Sequence, residues 1–279
     1  MKLKFEVMGM NCKLGVIGVG NMAKAIIGGI QGSSVAVSQI FLYDKNTAQY
    51  DDVNDTRVPC TPMTELAKTV ALSDCILLSV KPQNFPEVLA EIAAVSGHER
   101  KLYITIAAGI TVDTVSSALN GARVVRALPN LPMTIGRGVS VICRSSDVDA
   151  ESFDFIKALF ESSGSSIVID ECEMNRMIGV TSSSPAYVFA FIDAMYNAAL
   201  AQGLSSEGLI SAICDVFIGS AELLKRSDAT PGELASRVAS KGGTTERALA
   251  EFKALDLNGA VLSAMNACTA RADELSISK

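Results

Sequence analysis

The stretch Gly15-Val-Ile-Gly18-Val-Gly20-Asn21-Met22-Ala23 decides how the first half of the chain is read. It joins an apolar run at 14–18 to a helical pattern over 21–30. A continuous apolar run ending in glycines is the pattern of a buried strand. At such a junction Gly18 permits a tight turn, and Gly20 lets a pyrophosphate approach the backbone. Ala23 takes the position where a small side chain lets helix and strand pack closely. The first helical turn offers unpaired N–H groups and a partial positive charge to phosphate oxygens. Gly18, Gly20, Asn21, Met22 and Ala23 are therefore read as a dinucleotide-binding loop. The plainer reading is a glycine-rich turn with no ligand.

Outward from this loop, runs at 39–43, 57–60, 75–80, 102–106, 123–127 and 138–143 read as further strands. Helical patterns fall between them at 63–70, 86–95 and 111–119. Such alternation predicts an α/β domain with a parallel sheet covered on both faces. After Ile169 no strand pattern remains. Helices are predicted at 186–200, 209–224, 232–238, 244–255 and 258–275, with Asn258 as an N-cap and Pro231 in a first turn. The helix at 186–200 is apolar nearly all round, which predicts burial on most sides. The reading is thus two domains, a dinucleotide-binding domain at 13–170 and an all-α domain at 171–279. The apolar helices of the second are expected to bury surface against another subunit.

Composition excludes several classes. The 279 residues are 49% hydrophobic and 19% charged, which rules out a disordered chain and allows a core without disulfide or metal staples. With 24 basic and 30 acidic residues the net charge is −6, and no long basic run marks a nucleic-acid partner. The uncharged stretch 25–43 is broken by Gly28, Gly29, Gln31, Gly32, Ser33 and Ser34, so no membrane span is expected. Residues 1–13 show neither an apolar segment nor an Arg-rich amphipathic pattern, so no targeting peptide is expected. Residues 1–12 read as an extra strand or a tail. The seven cysteines are scattered and never form CxxC, which points to free thiols in a reducing, cytoplasmic compartment. A single histidine, His98, and no Cys/His cluster argue against a metal site.

Four further segments carry chemistry. Asp44 ends the second strand, where a carboxylate accepts hydrogen bonds from a ribose 2′-OH and repels a 2′-phosphate. Adjacent Lys45 suits a 2′-phosphate instead, so both NADH and NADPH stay open. Val80-Lys81-Pro82 and Ala107-Ala108-Gly109 follow the fourth and fifth strands. Ligands of open α/β sheets bind at strand carboxyl ends, so these loops are read as lining the cofactor crevice, or else as strand terminators only. Arg126-Ala-Leu-Pro129-Asn130-Leu131-Pro132 follows the sixth strand. Ser240-Lys241-Gly242-Gly243-Thr244-Thr245 precedes a helix. Its backbone N–H groups and two hydroxyls suit a carboxylate or another small anion, and the plainer reading is a cap made by Thr244.

Taken together these segments resemble the pyrroline-5-carboxylate reductases, the enzymes that make proline. The matching pieces are GVGNMA (18–23), SVKP (79–82), IAAG (106–109), RALPN (126–130), SSPAYVF (183–189), TPGEL (230–234) and GGTT (242–245). The similarity runs from about Lys13 to the C-terminus, and seven pieces in order are specific where one is not. The resemblance implies a Rossmann-type N-terminal domain and a helical C-terminal domain that dimerises, with dimers assembling further into a ring-like decamer. It implies hydride transfer from NADPH or NADH to the C=N carbon of 1-pyrroline-5-carboxylate. Gly18, Gly20, Asn21, Met22, Ala23, Val80, Lys81, Pro82, Ala107, Ala108 and Gly109 would contact the dinucleotide, and Pro129 and Asn130 would lie near the nicotinamide. Gly242, Gly243, Thr244 and Thr245 would hold the substrate carboxylate through backbone N–H groups, the Thr245 hydroxyl would bond the imine nitrogen, and Ser240 and Asn130 would contact substrate.

Three positions depart from the family pattern. Leu131 replaces a common Thr, Ser182 a usual Gly, and Lys241 a usual Pro. Ser182 is expected to stiffen or tilt a helix kink, and Lys241 to strengthen carboxylate binding or disturb its loop. The rival β-hydroxyacid dehydrogenases carry a catalytic Lys in a KxxxN pattern. This chain has no Lys between Lys157 and Lys225. Two more rivals are a reductase of a related cyclic imine and a non-catalytic dinucleotide-binding scaffold.

Overall fold

The computed structural model describes residues 12–277; of the segment 1–12, read above as an extra strand or a tail, residues 1–11 lie outside the described residues and Cys12 opens the first strand. Eight strands are found among the described residues. These are β1 (Cys12–Ile17), β2 (Val37–Tyr43), β3 (Cys60–Pro62), β4 (Cys75–Leu78), β5 (Leu102–Thr105), β6 (Arg123–Leu128), β7 (Gly138–Arg144) and β8 (Gly164–Val168). The intervening helices are α1 (Asn21–Gln31), α2 (Leu66–Leu72), α3 (Phe85–Ala93), α4 (Val112–Ala118), α5 (Ala150–Glu161) and α6 (Glu171–Met177).

The strands form one sheet in the order β3-β2-β1-β4-β5-β6-β7-β8. Strands β1 to β6 run parallel, but β7 runs antiparallel to β6, and β8 is parallel to β7. The expectation of a parallel sheet therefore holds for β1 to β6 and is corrected at β7. The reason is the link from β6 to β7, a single 3-10 turn at Leu131–Ile135. A parallel return needs a crossover of about a dozen residues or more, usually a helix. Helix α5 and strand β8 were not anticipated, and β3 sits at Cys60–Pro62 rather than at 57–60.

Alternation along the strands divides the core. Cys75 and Leu77 of β4 pack on one side with Ile26, Ile27 and Ile30 of α1 and Phe153, Ile156 and Leu159 of α5. Ile76 and Leu78 pack on the other with Phe85, Leu89 and Ile92 of α3 and Val115 of α4. Each such side chain, fully buried, contributes about 1.5–3 kcal/mol. The sheet is thus covered on both faces, as a doubly wound fold requires, and the strand ends are left to build a site.

By contacts the chain divides into one unit of residues 12–183 with 268–277 and a second of residues 184–267. Met174 of α6, Ile178 and Ala272 belong to the core on the α3 face of the sheet, so by contacts these parts of the 171–279 region pack with the first unit. The second unit holds α7 (Ser184–Ala201), α8 (Leu209–Lys225), α9 (Pro231–Val238), α10 (Thr244–Ala254) and the start of α11 (Leu257–Ile277). Phe191 of α7 meets Phe217 of α8 edge-on at 5.9 Å and lies 6.1 Å from Phe252 of α10. Pro231 does open α9, behind a capping box in which Thr230 and Glu233 exchange hydrogen bonds. One expectation fails here. Asp256, not Asn258, caps α11, accepting the Gly259 N–H at 3.1 Å. Helix α7 has no buried residue within this single chain, Phe189 being 56% exposed.

Candidate active site

The glycine loop is built as the sequence requires. Gly18 sits at φ +90°, and a Cβ there would meet the Ser79 carbonyl at 2.7 Å. Its N–H donates to the Tyr43 carbonyl at 2.8 Å, and Ser79 N–H donates to the Ile17 carbonyl at 2.8 Å. The loop is therefore clasped between β2 and β4. Gly20 is the N-cap of α1, with no side-chain cap and open space where its Cβ would be. Ala23 is fully buried beneath it. No acidic residue occupies the first turn of α1. An uncapped helix start behind an open glycine fits a pyrophosphate, so these residues suit a dinucleotide.

A cleft of about 310 Å³ opens beside the loop. It brings together Gly18, Gly20, Asp44, Lys45, Val80 and Lys81 of the expected residues. Ser79, Tyr43 and Gln49 also line it and were missed, although Tyr43 and Ser79 stand beside the strand-end residues that were chosen. Asp44 is firmly held. Its carboxylate accepts the Val19 N–H at 2.7 Å and the Asn46 N–H at 2.8 Å. The Tyr50 hydroxyl accepts the Asp44 N–H at 2.8 Å and donates to the Asp44 carbonyl at 3.1 Å. Lys45 pairs instead with Glu87, 2.8 Å away, both side chains being mostly exposed.

The remaining expected residues of this unit lie outside that cleft. Asn21 lines a neighbouring groove with Lys24, Met133 and Thr134. Met22 is half-buried against the core, and Pro82 opens a 3-10 turn, Pro82–Asn84, that leads into α3. Ala107, Ala108 and Gly109 follow β5, and Gly109 sits at φ +77° where a Cβ would strike Leu275 at 2.8 Å. That glycine is required by the packing of α11, whatever else the loop does. Pro129 and Asn130 are buried after β6. The Asn130 amide nitrogen donates to the Thr181 carbonyl at 3.0 Å, and its oxygen accepts the Val139 N–H at 2.9 Å. Its side chain thus fastens β7 to the segment after α6. That segment, Ile178–Ser182, is a π turn. Ser182 ends it, and its hydroxyl is buried with no hydrogen-bond partner among the described residues. Ser182 thus lies in an i→i+5 irregularity of the kind frequent at functional sites.

In the second unit, Ser240, Lys241, Gly242, Gly243, Thr244 and Thr245 form a loop and helix start. Gly242 takes φ +75°. Gly243, not Thr244, is the N-cap of α10, and no side chain caps it. The cap reading of Thr244 is therefore corrected, because Thr244 already stands inside the first turn. Gly243 N–H donates to the Ser240 carbonyl at 2.9 Å. A Cβ on Gly243 would meet that carbonyl at 2.9 Å, so only glycine fits. Gly242 N–H donates to Glu246 Oε2 at 2.7 Å, so a carboxylate of the chain itself already engages this loop. The uncapped first turn of α10 offers anion-binding N–H groups without a metal or a histidine.

No group of three His, Cys, Asp or Glu side chains suited to a metal occurs among the described residues. All seven cysteines are free thiols. Burial pushes Cys12 up to about 12 and Cys75 well above the ordinary thiol range, which makes them poor nucleophiles. No helix among the described residues is long and apolar enough to cross a membrane.

Residues 171–275 match the family model described as pyrroline-5-carboxylate reductase dimerisation. Residues 13–109 match that of NADP oxidoreductase coenzyme F420-dependent. The chain is 35% identical over 274 residues to the pyrroline-5-carboxylate reductase of Escherichia coli strain K12, covering 96% of this chain and 99% of that one. It is 31% identical to that of Synechocystis, over 95% of this chain and 99% of the relative. Among solved structures it resembles Plasmodium falciparum pyrroline carboxylate reductase with NADP bound, at 25% identity and a TM-score of 0.85, covering 96% and 100% of the two chains. The Coxiella burnetii pyrroline-5-carboxylate reductase gives a TM-score of 0.86 at 25% identity, covering 96% and 99%.

Proposed function

The chain belongs to the pyrroline-5-carboxylate reductase family, and we propose that it reduces 1-pyrroline-5-carboxylate to L-proline with NADPH or NADH. The observation that carries this reading is the uncapped α10 start behind Gly242 and Gly243, in a chain that also carries an intact dinucleotide loop. The substrate is an anion with a C=N bond, and the chain's features divide accordingly. Thr244 and Thr245 present N–H groups to the carboxylate behind the turn made by Gly242 and Gly243, helped by the α10 dipole by about 0.3–1 kcal/mol. Ser240 contacts the substrate from the same loop. Gly18, Gly20, Asn21, Met22 and Ala23 seat the pyrophosphate, with Val80, Lys81 and Pro82 and with Ala107, Ala108 and Gly109 at the neighbouring strand ends. Pro129 and Asn130 shape the nicotinamide side, Asn130 by fastening Val139 and Thr181.

The reduced nicotinamide supplies the hydride when bound. The Thr245 hydroxyl orients and polarises the imine nitrogen. A threonine hydroxyl is too weak an acid to protonate it, so the proton comes from solvent or arrives on a protonated imine. Lys241, in the loop before the two glycines, adds a cation for an anionic substrate. We further propose that the 13–170 region serves the dinucleotide and the 171–279 region serves substrate and dimerisation. A homodimer covers the apolar faces of α7 and α8, and a ring-like assembly of dimers is the further form the resemblance implies. The free thiols suit a reducing cytoplasm.

The test is the initial rate of NADH and NADPH oxidation with 1-pyrroline-5-carboxylate, for the parent chain and Thr245→Ala. The parent turns over. Thr245→Ala loses about 2.7–4 kcal/mol of transition-state stabilisation, with dinucleotide affinity unchanged. No turnover with either cofactor, alongside measured cofactor binding, moves the reading to another cyclic imine. Unchanged turnover by Thr245→Ala removes that residue from the chemistry.

A further inference from the structure

We propose that this chain selects NADH over NADPH and that Asp44 makes the selection. The inference rests on the dinucleotide-dependent reading above. NADPH differs from NADH by one phosphate on the adenosine ribose, a group of charge near −2 that needs donors or cations around it. In a sheet of this kind that ribose lies at the end of the second strand, beside the glycine loop. Asp44 stands at that place and lines the cleft there.

Two charged residues compete to set the preference, and their fixity differs. The Asp44 carboxylate is tied down at both oxygens, to Val19 N–H and Asn46 N–H, and Tyr50 grips its backbone from both sides. It cannot swing away from an incoming phosphate without giving up bonds that also shape the glycine loop. A carboxylate accepts and does not donate, so it greets a ribose hydroxyl and opposes a phosphate. Lys45 is the counterweight. Its ammonium is engaged by Glu87 in an exposed pair of the kind that holds weakly, so it can turn towards a phosphate at little cost. Lys81 lines the same cleft and is also exposed. A mobile, screened cation softens the penalty of a fixed, partly buried anion without cancelling it. The sign of the balance is therefore set by Asp44.

Equilibrium binding measures this without any imine. The fluorescence of NADH and of NADPH is titrated with the full chain, with Asp44→Asn and with Asp44→Ser. The parent binds NADH tighter than NADPH by at least about tenfold, since opposing a like charge at a fixed position is costly. Asp44→Asn keeps one acceptor oxygen for the loop and removes the charge, so the ratio narrows several-fold or inverts. Asp44→Ser does the same, and Asp44→Asn decides alone if the serine variant fails to fold. Glu87→Gln releases Lys45 and raises NADPH affinity more than NADH affinity. Equal or tighter binding of NADPH by the parent overturns the proposal, as does a folded Asp44→Asn that keeps the parent's ratio. The reductase reading fails separately: selective NADH binding with no reduction of 1-pyrroline-5-carboxylate leaves this inference standing. Equal turnover and equal binding of both cofactors does the reverse.

Discussion

At Gly18 the backbone adopts φ +90° with the Ser79 carbonyl pressed against the missing side chain. Any Cβ here meets both a strained dihedral and a backbone oxygen that cannot move without breaking the Ser79 to Ile17 bond. Gly18→Ala is expected to destabilise the fold by about 1–3 kcal/mol and to weaken dinucleotide binding. Denaturant unfolding and NADH titration together check it, and a stable variant with parental binding contradicts it. Glu246 raises a second question at this scale. Its carboxylate holds the Gly242 N–H, in the loop assigned to the substrate's carboxylate. Glu246→Gln removes a resident negative charge and should lower KM for the anionic imine about two- to fivefold, the equivalent of the 0.3–1 kcal/mol a charge gains at a helix start. A raised KM would instead make Glu246 a support of the loop.

Among the elements, α9 owes its start to the Thr230–Glu233 capping box. Thr230→Ala should cost about 1 kcal/mol in denaturant unfolding near neutral pH. Hydrogen bonds from Thr230 hold the Glu233 carboxyl below its ordinary range. A lowered folded-state pKa gives stability that is present above the unfolded value and lost as pH falls through the folded one. The difference between parent and variant should therefore shrink on acidification below the ordinary carboxylate range, and a difference that grows contradicts the assignment. The elements also show what a sequence displays and what it hides. The strands of the first half were legible because both faces of the sheet are covered, so each strand is a continuous apolar run. The direction of β7 was not, because it depends on the length of the β6–β7 link rather than on the strand's own residues. Strand β8, Gly-Ser-Ser-Ile-Val at the sheet edge, is mostly exposed and carries no apolar period. Helix α5 did have one, in Phe153, Ile156, Leu159 and Phe160, which went unread. Similarly, Thr244 looked like a cap because hydroxyls cap helices, but Gly243 holds that position in extended backbone.

For the molecule as a whole, the apolar character of α7 was legible, and within this one chain its surface lies open. In 184–267 the only buried hydrophobic residue among those described is Ile213. Phe189, Val216, Ile218 and Leu223 are more than half exposed. A helical region with that much apolar surface in water calls for cover from outside the chain, and its match to a dimerisation family model agrees. Val216→Glu on this surface should convert the assembly to monomer in sedimentation at micromolar concentration, and an unchanged oligomer would place the interface elsewhere. The site was legible to a similar degree. The glycine loop, Asp44 and Lys45 do share a cleft. Asn130 was singled out by its motif only, while its two hydrogen bonds, to Thr181 and Val139, could be seen only in three dimensions.

The central claim is hydride transfer from a reduced nicotinamide to an imine carbon. It is tested most directly by incubating the full chain with 1-pyrroline-5-carboxylate and cofactor deuterated at the nicotinamide C4, then isolating the product. The predicted product is L-proline carrying one deuterium at C5, formed one for one with cofactor oxidised. Oxidised cofactor without labelled proline, or no product at all from a chain that binds the cofactor, would contradict it.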